Sequence, residues 1–338
     1  MTRRHFLLAL PVLRRDPKGA VPRAAQYLWS RQSPDGGWHS TTYGLLRSGQ
    51  ALTPFILEAL LRLPDPPAKR VGRALDFLQT RFHPENADYP NYATALAVLA
   101  LRRLNRDVSG LVAWLRTQQF SPENGWTEDH PAYGAWGMGG LPQRPPEPGH
   151  VDLSMTRYVL QALAAVGVPP DDPALRRARV FLDRCQNPDG GFQFTTVVLE
   201  ANKAGLGRSY GTATADGILS LAALGDPAAS ARRWLTQHHR TDLVPGFTTL
   251  PQQRWARGLR FYYAAAVHAA APELPVTPLL GQQRRDGSFA NPEPIVKEDD
   301  PLIATAFALR ALWPARFPGQ FAVEPGPRHS PLAFDGGR

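Results

Sequence analysis

The sequence predicts an all-α protein of the (α/α)6 toroid class, in which six helical hairpins close into two concentric layers. Two repeated elements, which alternate along the chain, predict this fold. The first is an amphipathic segment that ends in Leu-x3-Gln and leads into a turn and an aromatic residue. The second is a segment of the form Thr-x5-Ala-Leu that is apolar nearly all round. Half-exposed and buried helices in alternation, six of each, suit an inner barrel wrapped by an outer one.

The first element closes with a turn rich in Pro, Asp and Gly, as in 186-QNPDGGF-192. We call the four units that begin at a glutamine the Gln turns. They pair Gln32 with Trp38, Gln119 with Trp126, Gln186 with Phe192 and Gln283 with Phe289. Two weaker copies have Phe82 and His239 in place of the glutamine. Together these copies supply six outer helices.

The second element follows each copy of the first. Its threonine is Thr53, Thr94, Thr156 or Thr305, with a near copy at Thr214. In the remaining hairpin, Tyr262 stands in the position of the threonine and precedes a run of alanines. An apolar residue on nearly every side predicts a helix buried between neighbours.

Composition limits the classes of partner. The chain has 338 residues and no apolar run near the length of about 20 residues that spans a bilayer. Its single cysteine, Cys185, excludes an internal disulfide. The net charge of +9 comes mainly from scattered arginines. Such a surface favours peripheral contact with an anionic membrane or a solvated face, and no nucleic acid partner is predicted. The oligomeric state stays open.

The two ends of the chain differ from the repeats. Residues 1–21 form an extension whose segment 2-TRRHFLLALPVL-13 is similar to a twin-arginine export signal. If this segment is an export signal, we expect the protein in the periplasm or cell envelope. If it is an ordinary extension, we expect the protein in the cytoplasm. The toroid is assigned to residues 22–313. Residues 314–338 are rich in Pro and Gly and are predicted to be an extended tail.

The Gln turns and the Thr-x5-Ala-Leu helices resemble the QW repeats of squalene–hopene and oxidosqualene cyclases and the repeats of protein prenyltransferases. The resemblance covers about residues 22–313 and implies a toroid around a central apolar cavity. It also implies that Gln186 ties down backbone groups at a neighbouring helix end while Phe192 packs beside it.

The sequence does not contain the catalytic motifs of these families. No inner-helix threonine follows the Asp-x-Asp-Asp cluster that class II cyclases use to protonate a double bond or epoxide. The Asp, Cys and His ligands of the prenyltransferase zinc are also missing, because Cys185 lies in a Gln turn and His268 lies within an alanine run. No cofactor or metal site is predicted.

Candidate site residues cluster at the starts of the inner helices. Asp152, Asp299 and Asp300 are candidate acids or cation ligands, and helix capping is their alternative role. Asp216 lies inside an apolar inner helix, so it either meets a partner in the cavity or faces solvent. The candidate aromatic residues of the cavity wall are Tyr92, Trp126, Trp136, Tyr210, Tyr262 and Tyr263.

Two functional hypotheses follow. In the first, the toroid binds an apolar, isoprenoid-like ligand, and if it is an enzyme it catalyses a cyclase- or transferase-type reaction on that ligand. In the second, it is a non-catalytic toroid that binds a lipid or a protein in the bacterial cell envelope.

Overall fold

A computed structural model describes residues 17–313, which contain twelve α-helices and no β-strand. The helices are α1 (Pro17–Ser30), α2 (Leu52–Leu60), α3 (Ala68–Arg81), α4 (Pro90–Arg103), α5 (Ser109–Thr117), α6 (Leu153–Ala165), α7 (Pro173–Cys185), α8 (Gly211–Ala223), α9 (Ala229–His238), α10 (Gln253–Gly258), α11 (Arg260–Ala270) and α12 (Pro301–Leu312). The first helix begins before residue 22, where the sequence sets the start of the toroid. The export-like motif and the tail lie outside the described residues.

Six helices form the inner layer as a closed ring. Helices α2, α4, α6, α8, α11 and α12 pack each against the next, and α12 packs against α2. Every residue of α2 is buried, as the apolar inner segments predict. The predicted all-α toroid is thereby confirmed.

The outer layer wraps this ring with one face of each helix. In α7, the side chains of Ala174, Ala178, Phe181 and Leu182 are buried, while Arg176 on the opposite face is exposed. Helices α1, α3 and α9 bury one face in the same way, whereas in α5 Leu115 alone is fully buried. Apolar residues spaced three to four apart produce this pattern.

The sixth outer element differs from the prediction of six outer α-helices. It is a 3-10 helix, Thr277–Gln282, followed by the Gln turn at Gln283. The segment carries Pro278 and Gly281, which disfavour a longer α-helix. A short extra helix, α10, directly precedes the inner helix α11.

The Gln turns hold neighbouring outer elements together, as the resemblance implies. In each turn the glutamine Nε2 donates one hydrogen bond to a carbonyl of its own turn and a second to the first turn of the next outer helix. The second acceptors are the carbonyls of Arg70 for Gln32, Ala174 for Gln119 and Ala20 for Gln283, each at 2.8 Å, and the Ser230 hydroxyl at 3.0 Å for Gln186.

One of these bonds closes the ring. Gln283 follows the last outer element, and its amide reaches Ala20 at the start of α1. The guanidinium of Arg23, also on α1, donates to Gln283 Oε1 at 2.5 Å. Because the last repeat binds the first, no repeat is left with an open end.

The inner threonines explain why the two sequence elements occur together. In four of the five, the Oγ1 atom accepts a hydrogen bond from the backbone N–H of the aromatic residue that ends the preceding Gln turn, whereas Thr94 Oγ1 is buried without a partner among the described residues. These pairs are Thr53 with Trp38, Thr156 with Trp136, Thr214 with Phe192 and Thr305 with Phe289, at 2.9–3.1 Å.

The second Gln turn corrects the sequence assignment. Trp136, and not Trp126, pairs with Gln119. Its indole Nε1 donates to the Leu115 carbonyl at 2.8 Å, as Trp38 does to Leu28 at 2.7 Å in the first turn. An insertion within the turn moved the aromatic residue further along the chain.

Glycine spacing is the signal that identifies the correct tryptophan. Gly134 precedes Trp136 by two residues, as Gly36 precedes Trp38. Both glycines have positive φ, and an added Cβ would lie 1.9 Å and 2.0 Å from carbonyl oxygens of the next outer helix. Only glycine allows this close approach with φ in that region.

His239 takes over the role of a glutamine in the fifth hairpin. Its Nε2 lies 3.0 Å from the Pro275 carbonyl, just before the next outer element. Its Nδ1 lies 3.0 Å from the Tyr263 hydroxyl, which belongs to α11. An Nε2–H tautomer donates the first bond and accepts the second.

Replacing Gln119 by alanine should lower the free energy of unfolding by about 1–3 kcal/mol, because two buried carbonyls lose a donor. Gln79→Ala, at an exposed position on α3, is the matched control and should change stability little. Urea unfolding followed by circular dichroism measures both. Equal stability of the two variants would show that the Gln turn contributes nothing.

Candidate ligand-binding site

A cavity of about 240 Å³ lies among the N-terminal ends of the inner helices. Its wall comes from five of the six inner helices and from the loops before them. The apolar and aromatic lining includes Leu52, Phe55, Tyr92, Leu96, Tyr158, Tyr262, Ile303 and Phe307. The charged residues in the lining are Lys297 and Glu298. The cavity is therefore apolar in its body, with charge on one side.

Aromatic rings pack edge to face around the cavity. Phe307 meets Phe55 with ring centroids 4.8 Å apart and Tyr262 at 5.3 Å. Tyr92 meets Tyr158 at 5.2 Å. These geometries add stability beyond the burial of the rings and fix their orientation.

A chain of hydrogen bonds runs behind this aromatic wall. The Tyr262 hydroxyl donates to the two oxygens of Asp216 at 2.7 and 2.8 Å. Ser154 Oγ lies 2.5 Å from the Tyr262 oxygen and accepts from the Tyr92 hydroxyl at 2.6 Å. Since each hydroxyl has one proton, the bonds run from Tyr92 through Ser154 and Tyr262 to Asp216. The tyrosines thus present their rings to the cavity and direct their hydroxyls away from it.

Asp216 ends this chain inside the protein, so the solvent-facing alternative for it is wrong. Burial raises the pKa of the Asp216 carboxyl to about 7, although Arg157 acts to lower it. An Arg157 Nη1 lies 3.5 Å from Asp216 Oδ1, and the guanidinium stacks 4.2 Å from the centre of the Tyr158 ring. Arg157 Nε is buried and has no partner among the described residues. The sequence does not predict Arg157 as a site residue.

Glu298 is the acid of the cavity wall that the sequence did not single out. Its carboxylate accepts from the backbone N–H groups of Phe261 at 2.9 Å and Tyr262 at 2.7 Å, at the start of α11. Burial raises the pKa of Glu298 to about 7, and these bonds act to lower it. Glu298 belongs to the run 297-KEDD-300, in which the sequence predicts only Asp299 and Asp300 as site residues.

Asp152 lies on a different inner-helix start from the adjacent pair Asp299 and Asp300, and all three lie outside the described lining of the cavity. Asp152 caps α6 through the Met155 N–H at 2.8 Å and binds His150. Asp300 caps α12 through the Leu302 N–H at 2.9 Å. The Tyr43 hydroxyl donates to Asp299 at 2.5 Å. Capping accounts for Asp152 and Asp300, so the geometry does not favour their predicted catalytic role.

The predicted aromatic residues divide into two groups. Tyr92 and Tyr262 line the cavity, as predicted. The other four lie outside its described lining: Tyr210 packs on Phe247, Tyr263 binds His239, Trp126 donates to the Gln143 carbonyl, and Trp136 belongs to a Gln turn. Each of these four side chains joins loops and helices, so the cavity does not account for their predicted role in ligand binding, which stays a prediction.

Neither a metal nor a membrane span is indicated in the described residues. Within residues 17–313, no group of three His, Cys, Asp or Glu side chains is arranged to hold a metal ion. No helix of this part of the chain is long and apolar enough to cross a bilayer.

The fold and site thus define an all-α toroid with an apolar central cavity. The squalene–hopene cyclase C-terminal domain family matches residues 149–247. A squalene–hopene cyclase from Bradyrhizobium diazoefficiens is 29% identical over 215 residues, which are 61% of this chain and 26% of that protein. The chain therefore spans about a quarter of the length of this curated relative.

Solved structures share the fold at low sequence identity. A protein from Actinoplanes has a TM-score of 0.56 and 20% identity, covering 89% of this chain and 99% of its own. A type II terpene cyclase from Scytonema has a TM-score of 0.56 and 15% identity, covering 88% and 97%. The α-1,6-mannanase GH76A from Salegentibacter has a TM-score of 0.53 and 12% identity, covering 89% and 99%.

Together, the family match, the cyclase relative and the terpene cyclase neighbours support a terpenoid cyclase-like superfamily for this chain. The mannanase has the same toroid, so the fold alone does not define a reaction.

The raised pKa of Asp216 predicts how stability depends on pH. Between its ordinary pKa of 3.8 and its folded pKa of about 7, the native state holds a proton that the unfolded chain has released. The contribution of Asp216 to stability is therefore lost as the pH rises through this window. Asp216→Asn, which keeps an acceptor for Tyr262, should reduce the loss of stability between pH 5 and pH 8.

Urea unfolding of wild type and variant at both pH values measures this effect. Asp76→Asn, at an exposed position on α3, is the control and should behave like wild type. An unchanged pH dependence in Asp216→Asn would show that this carboxyl does not titrate in the window.

Proposed function

We propose that the toroid binds an apolar, isoprenoid-like ligand in its central cavity. The observation that carries this proposal is the lining, in which aliphatic side chains and aromatic rings surround about 240 Å³. Transfer of an apolar chain from water into such a cavity is favourable. Ligand sites of this kind combine an apolar wall with a few placed polar groups.

The direction of the tyrosine hydroxyls supports an apolar ligand over a sugar. A sugar requires many hydrogen-bonding groups in the wall, but Tyr92 and Tyr262 use their hydroxyls for Ser154 and Asp216. Polar recognition is thereby left to the side of the cavity that carries Lys297 and Glu298. An isoprenoid also suits the comparison with the Scytonema terpene cyclase, whose substrate is geranylgeranyl dihydroxybenzoate.

If the toroid is an enzyme, Asp216 is the candidate general acid instead of Asp152. A carboxyl group with a pKa of about 7 holds its proton near neutral pH, as a general acid must. Asp216 lies behind the ring of Tyr262 and accepts the hydrogen bond of its hydroxyl, so a proton from Asp216 would reach the cavity only after this hydrogen bond is reversed. The identity of the reaction, of cyclase or transferase type, stays a hypothesis.

Filling the cavity should weaken ligand binding. Ala51 lines the cavity just before α2, so Ala51→Phe should weaken the binding of geranylgeraniol by about tenfold or more through loss of apolar contact area. Ala68→Phe adds the same side chain at an exposed position at the start of α3 and is the control. Calorimetric titration measures both affinities. The proposal is wrong if wild type shows no binding, or if Ala51→Phe binds as tightly as the control.

A second candidate function is contact with a lipid surface, without catalysis. The exposed large hydrophobic residues of the described chain all lie in loops that precede inner helices. They are Leu45, Met138, Leu141, Leu199, Leu206 and Leu250. These loops converge on one face of the toroid, which we call the mouth face because the cavity lies there. Apolar residues gathered on one face mark an interaction site.

The charge of the mouth face favours neutral lipids over the anionic membrane expected from the composition. Its loops, 31–51, 82–89, 118–152, 186–210, 239–252 and 283–300, contain more acidic than basic residues. The arginines lie mainly on the outer helices, for example Arg73 and Arg176. We therefore propose that phosphatidylcholine is bound at least as well as phosphatidylglycerol.

Removal of two exposed leucines tests this second candidate. Leu141 and Leu250 are 85% and 88% exposed, so Leu141→Ser/Leu250→Ser should reduce co-sedimentation with phosphatidylcholine vesicles without loss of stability. The control is Leu75→Ser/Leu111→Ser, at half-buried positions of the outer wall. Absence of wild-type binding to these vesicles, or equal binding by both variants, would refute the lipid contact.

A further inference from the structure

Three arginines surround one glutamate at the end of the barrel opposite the mouth face. Glu58 lies near the end of α2, and Arg62 follows that helix. Arg103 ends α4, and Arg310 lies in the last turn of α12. We call Arg62, Arg103 and Arg310 the arginine cluster. Since α12, α2 and α4 are neighbours in the ring, the three side chains converge from adjacent helices.

The three arginines contact the carboxylate of Glu58 at different distances. Arg62 binds it through two nitrogens, with Nε 2.9 Å and Nη2 2.7 Å from Oε1. The Nε atoms of Arg103 and Arg310 each lie 3.5 Å from a Glu58 oxygen, which is beyond a well-formed hydrogen bond. One negative charge is thus close to three positive charges.

This excess of positive charge lies largely out of water. The side chains of Glu58, Arg310 and Arg62 are 1%, 4% and 12% exposed. Burial would raise the pKa of Glu58, but the three arginines lower it to about 2. Burial lowers the pKa of Arg62 to about 10, and repulsion from Arg310 and Arg103 acts in the same direction. The one carboxylate of Glu58 does not balance the positive charge of the three guanidinium groups.

Polar side-chain nitrogens at this end also lack hydrogen-bond partners. Arg103 is 23% exposed, and within residues 17–313 its guanidinium makes no hydrogen bond. His268 on α11 carries a buried Nε2 that has no partner in the same part of the chain. Arg62 lies near enough to His268 to lower the pKa of its ring, after burial. An oxyanion has acceptors for such donors.

The ends of the helices give a competing explanation. The carboxyl ends of α2, α4 and α12 carry partial negative charge, which stabilises cations in the last turn. That effect accounts for the positions of Arg103 and Arg310. It does not account for the unused guanidinium donors of Arg103, and it applies equally to Arg102, which is exposed in the same turn. The two explanations therefore make different predictions for Arg102 and Arg103.

We propose that the arginine cluster is a binding site for a phosphate-type oxyanion. It adjoins the apolar cavity, because Arg310 Nη1 donates to the hydroxyl of the cavity residue Tyr158 at 3.3 Å. Guanidinium groups bind such anions through paired N–H donors. The loops at this end are short, and the exposed large hydrophobic residues of the described chain lie elsewhere. The site therefore suits a soluble phosphate or a phosphorylated small molecule instead of a lipid headgroup.

Titration with inorganic phosphate tests the site. At constant ionic strength, wild type should gain thermal stability from phosphate relative to chloride, and calorimetry should show saturable binding. Arg103→Gln should weaken this binding by about tenfold or more, because a charged donor is lost. Arg102→Gln removes the same charge from the neighbouring position and should bind phosphate like wild type. Comparison with pyrophosphate and with a phosphomonoester distinguishes a free phosphate site from a site for a phosphorylated molecule.

Glu58→Gln gives an independent measurement. It should lower stability in chloride, since it leaves three arginines without their anion, and phosphate should restore more stability to it than to wild type. Phosphate also stabilises proteins through exclusion from their surfaces, so the differences between variants are the result that decides. Absence of saturable binding to wild type, or equal weakening by Arg102→Gln and Arg103→Gln, overturns the proposal.

Discussion

The structure depends on the side-chain amide of one glutamine in each Gln turn. Two hydrogen bonds from Nε2 fix a turn and join it to the next outer helix, as Gln119 joins Gly134 to Ala174. The turn then delivers an aromatic residue whose N–H meets the threonine of an inner helix, as Trp136 meets Thr156. One polar side chain thereby sets the distance between outer neighbours and the start of the inner helix. The cavity lies where these starts converge.

Much of this framework was predictable, because the interactions join short, repeated motifs. Leu-x3-Gln and Thr-x5-Ala-Leu recur with enough regularity to define the layers and their order. The error at Trp126 arose where an insertion lengthened the turn, so that spacing from Gln119 no longer located the aromatic residue. Glycine two residues before the aromatic, as at Gly134, is a better guide, since contact with the next helix requires it.

The interior of the barrel was less predictable, because its contacts join residues far apart in the chain. The bonds of Tyr262 to Asp216 and to Ser154 connect three different inner helices. An acid within an apolar helix signalled Asp216, because burial without a partner is costly. No similar signal identified Arg157 or Glu298, whose roles depend on which helices become neighbours.

The common direction of the inner helices explains where the charges lie. Each inner helix begins at the mouth face, so partial positive charge gathers there and partial negative charge gathers at the opposite end. Asp152, Asp300 and Glu298 accept from N–H groups at helix starts, while Arg103 and Arg310 lie in last turns. Acids at helix starts are therefore expected in any such toroid and carry little information about chemistry. Asp216 and Arg157 lie within α8 and α6, where no helix end requires a charge. Their pairing behind the aromatic wall is the feature of this barrel that its architecture does not explain, and functional variation should be sought there first.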